Sequence, residues 1–511
     1  MKKRSILRFI GLCMAGVMAL VSLNGCGGTV SQSGETGSGM ASSEGMGNKT
    51  DSSGGGTLEP YTINWYMPSS GEPADIDKIN AKATEMLKDL NITLNLNFID
   101  WGSYEQKMQN SIASNEKVDL MWTSSWLANV YDYTRQGAFL DISDLAPKYA
   151  PDMAATLKGE FWDGTVLNGG HYAVPVNKEK SAQKGWLFNK KMIDEYGLDV
   201  SKVKSAEDIT PLLEKIKAAD PTLTPVEMTS GNSIPAQQWP IVNNYCVLLP
   251  NDDAYTLYID NPEWQSLVKL MRQWYQAGYI KQDAVTNTDY TAEEKAGRIF
   301  MVETTLKPGK AEEYSGSIGV DFVQVPYTPT YISTADMFGS MNAIPASCEN
   351  PERVLMFMNR LYSDKALVNL LVYGIEGTHY TKVSDNIIDF AAGTDDGAKS
   401  GYNPGDNWMV GDQFLDYLLK SEDPEKWDKF KAFNDEGVAV RDFGFVFDAS
   451  AVKNELAACE NVRAAYENAI QFGAVDPDTA IPEYRNKLME AGVQKVIDET
   501  NRQYAEFKSS K

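Results

Sequence analysis

Apolar residues follow two different periods along the chain from Leu58 onward. Between residues 74 and 90 they recur every three to four positions, which predicts a helix with one buried face. Between residues 91 and 100 they occupy alternate positions, which predicts a strand. The neighbouring segments predict a strand at 61–67, a helix at 103–115 and a strand at 118–124. This rhythm is typical of an α/β fold with a mostly parallel sheet.

The same rhythm returns in the middle of the chain and ends near Ala449. From Ala449 to Phe507 the pattern predicts two helices separated by residues 473–484. The predicted middle elements are strands at 184–190 and 316–329, the latter broken by two prolines, and helices at 205–220, 262–279, 350–364 and 365–373. A chain of 511 residues is long enough for two or three domains. We therefore expect an α/β body followed by a helical extension.

The first 25 residues have the pattern of a secretory signal peptide, because a basic start precedes an apolar run from Phe9 to Leu23. The run is shorter than the ~20 apolar residues that a membrane-spanning helix needs. Its end, Leu23-Asn24-Gly25-Cys26, resembles the lipobox of bacterial lipoproteins, in which the cysteine thiol carries a diacylglycerol. The alternative is an ordinary signal with an incidental cysteine. We predict cleavage before Cys26 and its lipidation.

Residues 26–57 are predicted to be a flexible tether behind this cysteine. Ten glycines and seven serines occur in the 31 residues 27–57, so the segment cannot offset its ordering entropy by burial. The remaining cysteines, Cys246, Cys348 and Cys459, lie far apart and lack metal-site spacing, which predicts free thiols. An excess of acidic residues, 70 against 47 basic ones, argues against nucleic acid as a partner.

Several segments together resemble the bacterial extracellular solute-binding proteins of sugar-type ABC importers. They are VDLMWTSSW (118–126), HYAVPVNKE (171–179), GWLFNKKMIDEYGLD (185–199), WYQAGYIKQDA (274–284) and ETTLKPGKAEE (303–313). YGIEGTHY (373–380) and the region from RDFGFVFDAS (441–450) onward resemble a lipoprotein subgroup that ends in a domain of unknown function. The resemblance covers nearly all of residues 58–511.

The resemblance implies an α/β, two-lobed periplasmic-binding-protein-like (Venus flytrap) fold with a helical C-terminal extension. We expect lobe 1 to comprise 58–175 plus 328–372, lobe 2 to comprise 176–327 plus 373–440, and the C-terminal domain to comprise 441–511. The implied protein is a monomer on the outer face of the bacterial cytoplasmic membrane, where it delivers a solute to ABC permease subunits. We expect the C-terminal domain to pack on lobe 2 and to shape the cleft entrance.

Aromatic residues near predicted strand ends and loops are the main candidates for ligand contact. Sugar rings pack their C–H faces on aromatic planes, while their hydroxyls need polar partners. WTSSW (122–126) combines both features, although a buried core position is the alternative for each tryptophan. The candidate residues are Trp65, Tyr66, Trp101, Trp122, Ser124, Ser125, Trp126, Asn177, Trp186, Trp239, Phe338, Glu376, His379, Tyr380 and Trp408.

An enzyme is disfavoured by the residue content. Only two histidines occur, and GxSxG, HExxH and P-loop motifs are absent from the sequence. We therefore expect no catalytic residue, cofactor or metal, and interpret the oxygen-rich stretch 393–407 as a solvated loop rather than a calcium site. The predicted ligand is an oligosaccharide. The alternatives are a peptide or other polar solute, or an anchored surface protein that binds or cleaves glycans.

Overall fold

The computed structural model describes residues 58–228, 239–287, 290–394 and 399–510. The predictions for the signal peptide, Cys26 and the tether lie outside these residues. Two large hydrophobic cores organise the described chain, one in each half of a two-lobed fold. Among the described helices, none has the length and apolar character needed to cross a bilayer.

The first core surrounds a five-stranded sheet, whose strands in spatial order are β2 (Ile92–Asp100), β1 (Tyr61–Ser69), β3 (Leu120–Thr123), β12 (Met341–Ala343) and β4 (Val174–Pro175). β1 runs parallel to both β2 and β3, which confirms the parallel arrangement predicted for this region. The elements up to the first crossing, in chain order, are β1 (Tyr61–Ser69), α1 (Ile76–Met86), β2 (Ile92–Asp100), α2 (Trp101–Ala113), β3 (Leu120–Thr123), α3 (Val130–Arg135), α4 (Ala146–Tyr149), α5 (Pro151–Leu157), α6 (Glu160–Asp163) and β4 (Val174–Pro175).

The second core contains an antiparallel sheet with the order β10–β5–β9, not a parallel one. The strand predicted at 316–329 is observed only at Phe322–Pro326. Helix α11 extends to Ile318, and Gly319, with a φ of +80°, ends that helix. The elements are β5 (Gln183–Asn189), α7 (Lys190–Tyr196), α8 (Thr210–Ala219), β6 (Ile241–Val242), β7 (Cys246–Val247), β8 (Thr256–Leu257), α9 (Pro262–Gln276), α10 (Thr291–Lys295), β9 (Met301–Leu306), α11 (Lys310–Ile318) and β10 (Phe322–Pro326).

The chain then returns to the first core, where β12 inserts between β3 and β4. Buried side chains between Tyr373 and Tyr417 also belong to this core, whereas the sequence placed 373–440 in lobe 2. We now propose 373–417 as part of lobe 1. The elements are β11 (Tyr331–Ile332), α12 (Thr334–Met337), β12 (Met341–Ala343), α13 (Pro351–Arg360), α14 (Lys365–Tyr373), β13 (Tyr380–Lys382), β14 (Ile387–Phe390), β15 (Leu418–Leu419), α15 (Lys426–Glu436) and β16 (Val438–Ala439).

The C-terminal region contains three helices, α16 (Lys453–Gln471), α17 (Pro477–Ala491) and α18 (Val493–Ser510), rather than the predicted two. Residues 473–484 were predicted to separate two helices, but Pro477 occupies the start of α17, where a missing N–H costs nothing. The Asp476 side chain caps this end by accepting the Asp478 N–H, and Pro482 lies inside the helix. Buried residues of all three helices belong to the second core, so the C-terminal domain packs on lobe 2.

Segments 176–182, 327–333 and 437–440 run between the two cores. Ala182 and Tyr331 exchange backbone hydrogen bonds of 2.8 and 2.9 Å, and β11 pairs in parallel with β16. The Asn434 side chain accepts the Lys180 N–H at 2.8 Å and donates to the Lys178 carbonyl at 3.1 Å. These contacts join the crossing segments into one layer between the lobes.

Cys246, Cys348 and Cys459 are free thiols in the described structure, as predicted, although Cys348 is only partly buried. Burial raises the pKa of each thiol to about 11. The thiols are therefore protonated at neutral pH and poor nucleophiles.

Candidate ligand-binding site

The turn that follows β3 brings Trp126 to the surface between the lobes. β3 is buried along its length, and the Ser124 hydroxyl then accepts the N–H groups of Trp126 at 3.2 Å and Leu127 at 2.8 Å. The Trp126 indole N–H donates to the Gly339 carbonyl at 3.0 Å, which fixes the ring. Even so, Trp126 is 57% exposed, an unusual state for so large an aromatic residue.

Trp126 belongs to a tryptophan cluster with Trp101, Trp122 and Trp408. The rings of Trp101 and Trp408 are stacked with centroids 6.2 Å apart, and Trp101 also stacks on Trp126 at 6.0 Å. Trp122 is fully buried beneath them and meets each of the other three rings edge-on. Its indole N–H donates to the Ser340 hydroxyl at 2.9 Å, which itself donates to the Trp408 carbonyl at 2.8 Å. The cluster is thus a preorganised aromatic surface.

A cavity of about 630 Å³ lies between this aromatic surface and lobe 2. Lobe 1 contributes Trp126, Trp408 and the backbone near Gly339, while the crossing segment 178–182 forms its floor. Lobe 2 contributes the end of β9 and the start of α11, with Thr305, Leu306, Lys307, Lys310 and Glu313. We call this volume the central cavity. One of its walls is aromatic and the opposite wall is charged.

The charged wall is an ion-pair network around Lys307. The Lys307 ammonium lies 3.4 Å from a Glu179 carboxylate oxygen and 3.2 Å from Glu313. Lys178 approaches Glu179 at 3.2 Å, and Lys310 approaches Glu313 at 2.9 Å. The second Glu179 oxygen, Oε2, is buried without a hydrogen-bond partner among the described residues. A buried acceptor without a donor is costly, and the ion pairs that Glu179 makes with Lys178 and Lys307 offset this cost.

Electrostatics keep Glu179 and Lys307 ionised at neutral pH. Burial alone would raise the pKa of Glu179, but the charges of Lys178 and Lys307 lower it to about 2. Burial would likewise lower the pKa of Lys307, but Glu179 and Glu313 raise it above its ordinary value. Asp336 also lines the cavity, but in contrast to Glu179 its pKa is raised, because burial is the dominant effect. The Ser333 hydroxyl donates a hydrogen bond of 2.5 Å to Asp336, which opposes this rise.

A second cavity, of about 710 Å³, adjoins the same tryptophan from another side. It shares Ser125, Trp126 and Ala335 with the central cavity. Its other described residues come from α3 and its cap Asn129, from the start of α12, from the hairpin of β6 and β7 with the preceding Pro240, and from the C-terminal domain and the segment before it. We call this volume the C-terminal cavity.

The structure corrects five aromatic predictions. Trp65 and Trp186 are fully buried, and Tyr66, Trp239 and Phe338 are each less than one-tenth exposed, so their rings serve the cores. Trp65 and Tyr66 lie on β1 and Trp186 lies on β5, where a buried aromatic ring stabilises packing. Trp65 has a supporting role, because its indole N–H donates to Asn342 at 3.0 Å, which in turn donates to the Met409 carbonyl beside Trp408.

The motif YGIEGTHY braces lobe 1 and lines neither cavity among the described residues. His379 is buried, accepts the Ile375 N–H at 2.8 Å through Nδ1, and donates to Asp75 at 3.1 Å through Nε2. A Cβ on Gly374 would lie 2.5 Å from the same imidazole, and its φ is +85°, so glycine is required there. Tyr380 is buried in the first core, and Glu376 is exposed beside Lys382.

Of the predicted polar site residues, Ser124 and Asn177 make structural hydrogen bonds, and Ser125 lines the cavities. Ser124 shapes its own turn, and Asn177 donates to Asp412 at 2.9 Å in the crossing layer. Ser125 lines both cavities while its hydroxyl donates to the Ala335 carbonyl at 2.9 Å. Lys307 and Glu313 were missed, since nothing in their local sequence distinguishes them from solvated charges.

The chain belongs to the bacterial extracellular solute-binding protein family, whose model matches residues 73–368. Residues 442–509 match a second model, described as Domain of unknown function (DUF3502). The first match confirms the family resemblance. The second confirms the domain of unknown function that the sequence predicted at 441–511.

Individual relatives include a carbohydrate ABC transporter substrate-binding protein of Streptococcus pneumoniae, 27% identical over 457 residues, which are 86% of this chain and 90% of the relative. The crystal structure of the N-glycan transport solute-binding protein NgtS from the same species has a TM-score of 0.80 at 27% identity, covering 89% of this chain and 100% of that one. Its complex with Man5GlcNAc has a TM-score of 0.71, covering 89% and 99%. The alginate-binding protein AlgQ2 shares the fold, with a TM-score of 0.59 at 14% identity, covering 88% and 99%.

Proposed function

We propose that this protein is the substrate-binding component of an ABC importer and captures an oligosaccharide between its lobes. The observation that carries the proposal is the central cavity, where Trp126 and Trp408 of lobe 1 face Lys307 of lobe 2. A ligand held there contacts both lobes only when they are closed, so binding favours the closed form. A permease can then distinguish the loaded protein from the empty one.

The chemistry of the two walls favours a sugar over a peptide. The rings of Trp126 and Trp408 cover the C–H faces of a pyranose, while Glu179, Lys307 and Glu313 offer acceptors and donors to its hydroxyls. NgtS, which is similar over most of the chain, has been crystallised with Man1GlcNAc and with Man5GlcNAc. We therefore propose oligosaccharides of mannose and N-acetylglucosamine as the ligand class, bound and released without chemical change.

Titration of the purified protein with Man5GlcNAc tests the proposal. We expect a change in tryptophan emission, because the exposed ring of Trp126 becomes covered, and a higher melting temperature, because the ligand binds only the native state. Chromatography should recover the glycan intact. An unchanged emission and melting temperature would contradict oligosaccharide binding, and release of mannose would favour the glycan-cleaving alternative.

We also propose that residues 1–25 are a signal peptide and that a diacylglycerol on Cys26 anchors the protein to the outer face of the cytoplasmic membrane through the tether 26–57. Two acyl chains are what stable membrane anchoring requires. In a Gram-positive host, Cys26→Ser should abolish incorporation of labelled palmitate, because the acceptor thiol is lost. Cys13→Ser is the matched control and should remain labelled, since Cys13 lies in the cleaved segment. Palmitate on the Cys26→Ser protein would refute this anchor.

A further inference from the structure

We infer that the C-terminal domain forms the wall of a second sugar subsite, so that the bound molecule is a neutral oligosaccharide extending across Trp126 from the central cavity into the C-terminal cavity. This inference rests on the proposed function. It assigns a role in ligand recognition to helices α16 to α18 and the segment that precedes them.

The geometry of the two cavities supports one extended ligand. Their volumes, about 630 and 710 Å³, each lie within the range of roughly 300–1,000 Å³ typical of small-molecule sites. They meet at Ser125, Trp126 and Ala335, and Trp126 is the exposed aromatic ring common to both. A ligand confined to the central cavity would leave uncovered the part of this ring that lines the C-terminal cavity.

The lining of the C-terminal cavity has the composition expected for a neutral sugar. Phe447 and Tyr131 are only partly buried and offer apolar surface, while the exposed Asn244 carries an amide able to pair with hydroxyls. The charged groups among its described lining residues are the carboxylates Asp132, Asp442 and Glu460 and the guanidinium Arg135. This excess of carboxylates disfavours uronic acids and sugar phosphates.

The C-terminal domain also holds the opposite wall in place. Asn243 and Asn244 form the tip of the hairpin between β6 and β7 with φ values of +50° and +67°, the left-handed geometry of a tight hairpin turn. The Asn243 amide donates to the buried Thr500 hydroxyl of α18 at 2.8 Å, and the Tyr245 hydroxyl donates to Glu460 of α16 at 3.3 Å. The domain therefore supplies lining residues and positions others.

A bulky substitution within the C-terminal cavity tests the contribution of the second subsite separately from that of the central cavity. Ala457 lies on α16, is exposed and lines this cavity, so Ala457→Trp should fill space without disturbing the core. In calorimetric titrations of the purified full chain, we expect this variant to weaken binding of Man5GlcNAc at least tenfold more than binding of Man1GlcNAc. Ala464→Trp is the matched control, because Ala464 is exposed two turns further along the same face of α16 and outside the lining.

Each result of this comparison is decisive. A length-dependent loss in Ala457→Trp that is absent in Ala464→Trp supports the second subsite. Equal weakening for both glycans, no weakening, or the same loss in the control overturns the second subsite while the proposed function stands. Wild-type protein that binds neither glycan overturns this inference together with the proposed function.

Discussion

Replacing Trp126 by alanine is expected to weaken binding of Man5GlcNAc roughly 10- to 100-fold while leaving the protein folded. Covering an aromatic ring contributes about 1.5–3 kcal/mol, and each 1.4 kcal/mol corresponds to about a tenfold change in Kd. Trp126 borders both cavities and is 57% exposed to solvent. Most of its burial would therefore come from the ligand, so truncation costs affinity rather than folding stability.

Trp126→Phe is the matched control for this experiment. It keeps an aromatic plane and loses the hydrogen bond to the Gly339 carbonyl, so we expect a smaller loss of affinity than for alanine. Calorimetric titration gives the Kd, and circular dichroism gives the melting temperature of each variant. If Trp126→Ala bound Man5GlcNAc as tightly as the wild type, the aromatic surface would not be the site.

Much of the fold was accessible from the sequence because its signals are local. Alternation in 91–100 predicted β2 within one residue of its observed bounds, Ile92–Asp100. The lobe boundaries were harder to predict, because 373–417 contains short strands whose buried residues join the first core only after the chain has crossed between lobes twice. The C-terminal loop prediction failed because proline signals both a loop and the first turn of a helix.

The site was only partly predictable, since exposure depends on tertiary structure. Trp122 and Trp126 are the same residue type four positions apart, yet the first is fully buried and the second is more than half exposed. WTSSW (122–126) was predicted because it combines aromatic rings with hydroxyls, and the structure brings Trp101 and Trp408, which were also candidates, into the same cluster. Lys307 forms an ion pair with Glu179, which is 128 residues away in the sequence. Hydrophobic periodicity does not predict such a contact.

Buried acidic groups beneath the site are expected to make the stability of the protein depend on pH. Asp406 lies just before the short helix that contains Trp408 and is 6% exposed, with Oδ2 unpaired among the described residues. Burial raises its pKa to about 8, although a hydrogen bond with Ser69 opposes the rise. Burial likewise raises the pKa of Asp412 to about 6. These carboxyl groups therefore prefer to fold with their protons bound.

Replacing Asp406 by asparagine tests this preference for the protonated form. A control variant must separate the effect of Asp406 from that of the other acids. Asp385→Asn makes the same change of charge at an exposed loop position and is the matched control. The difference between each variant and the wild type, measured by urea unfolding at several pH values, cancels the groups common to both proteins. A difference for Asp406→Asn that is equally small at pH 5 and pH 8 would contradict burial of an ionisable group there.

Asp406→Asn should therefore stabilise the protein increasingly as the pH rises from about 4 to about 8. In this window the unfolded chain has already released the proton, given an ordinary pKa of 3.8, whereas the native state retains it up to about 8. The native state thus binds more protons than the unfolded state, and wild-type stability falls with rising pH. Asparagine resembles the protonated carboxyl group and has no charge to bury. The advantage of the variant should reach a few kcal/mol near pH 8, at about 1.4 kcal/mol per pKa unit, and then level off.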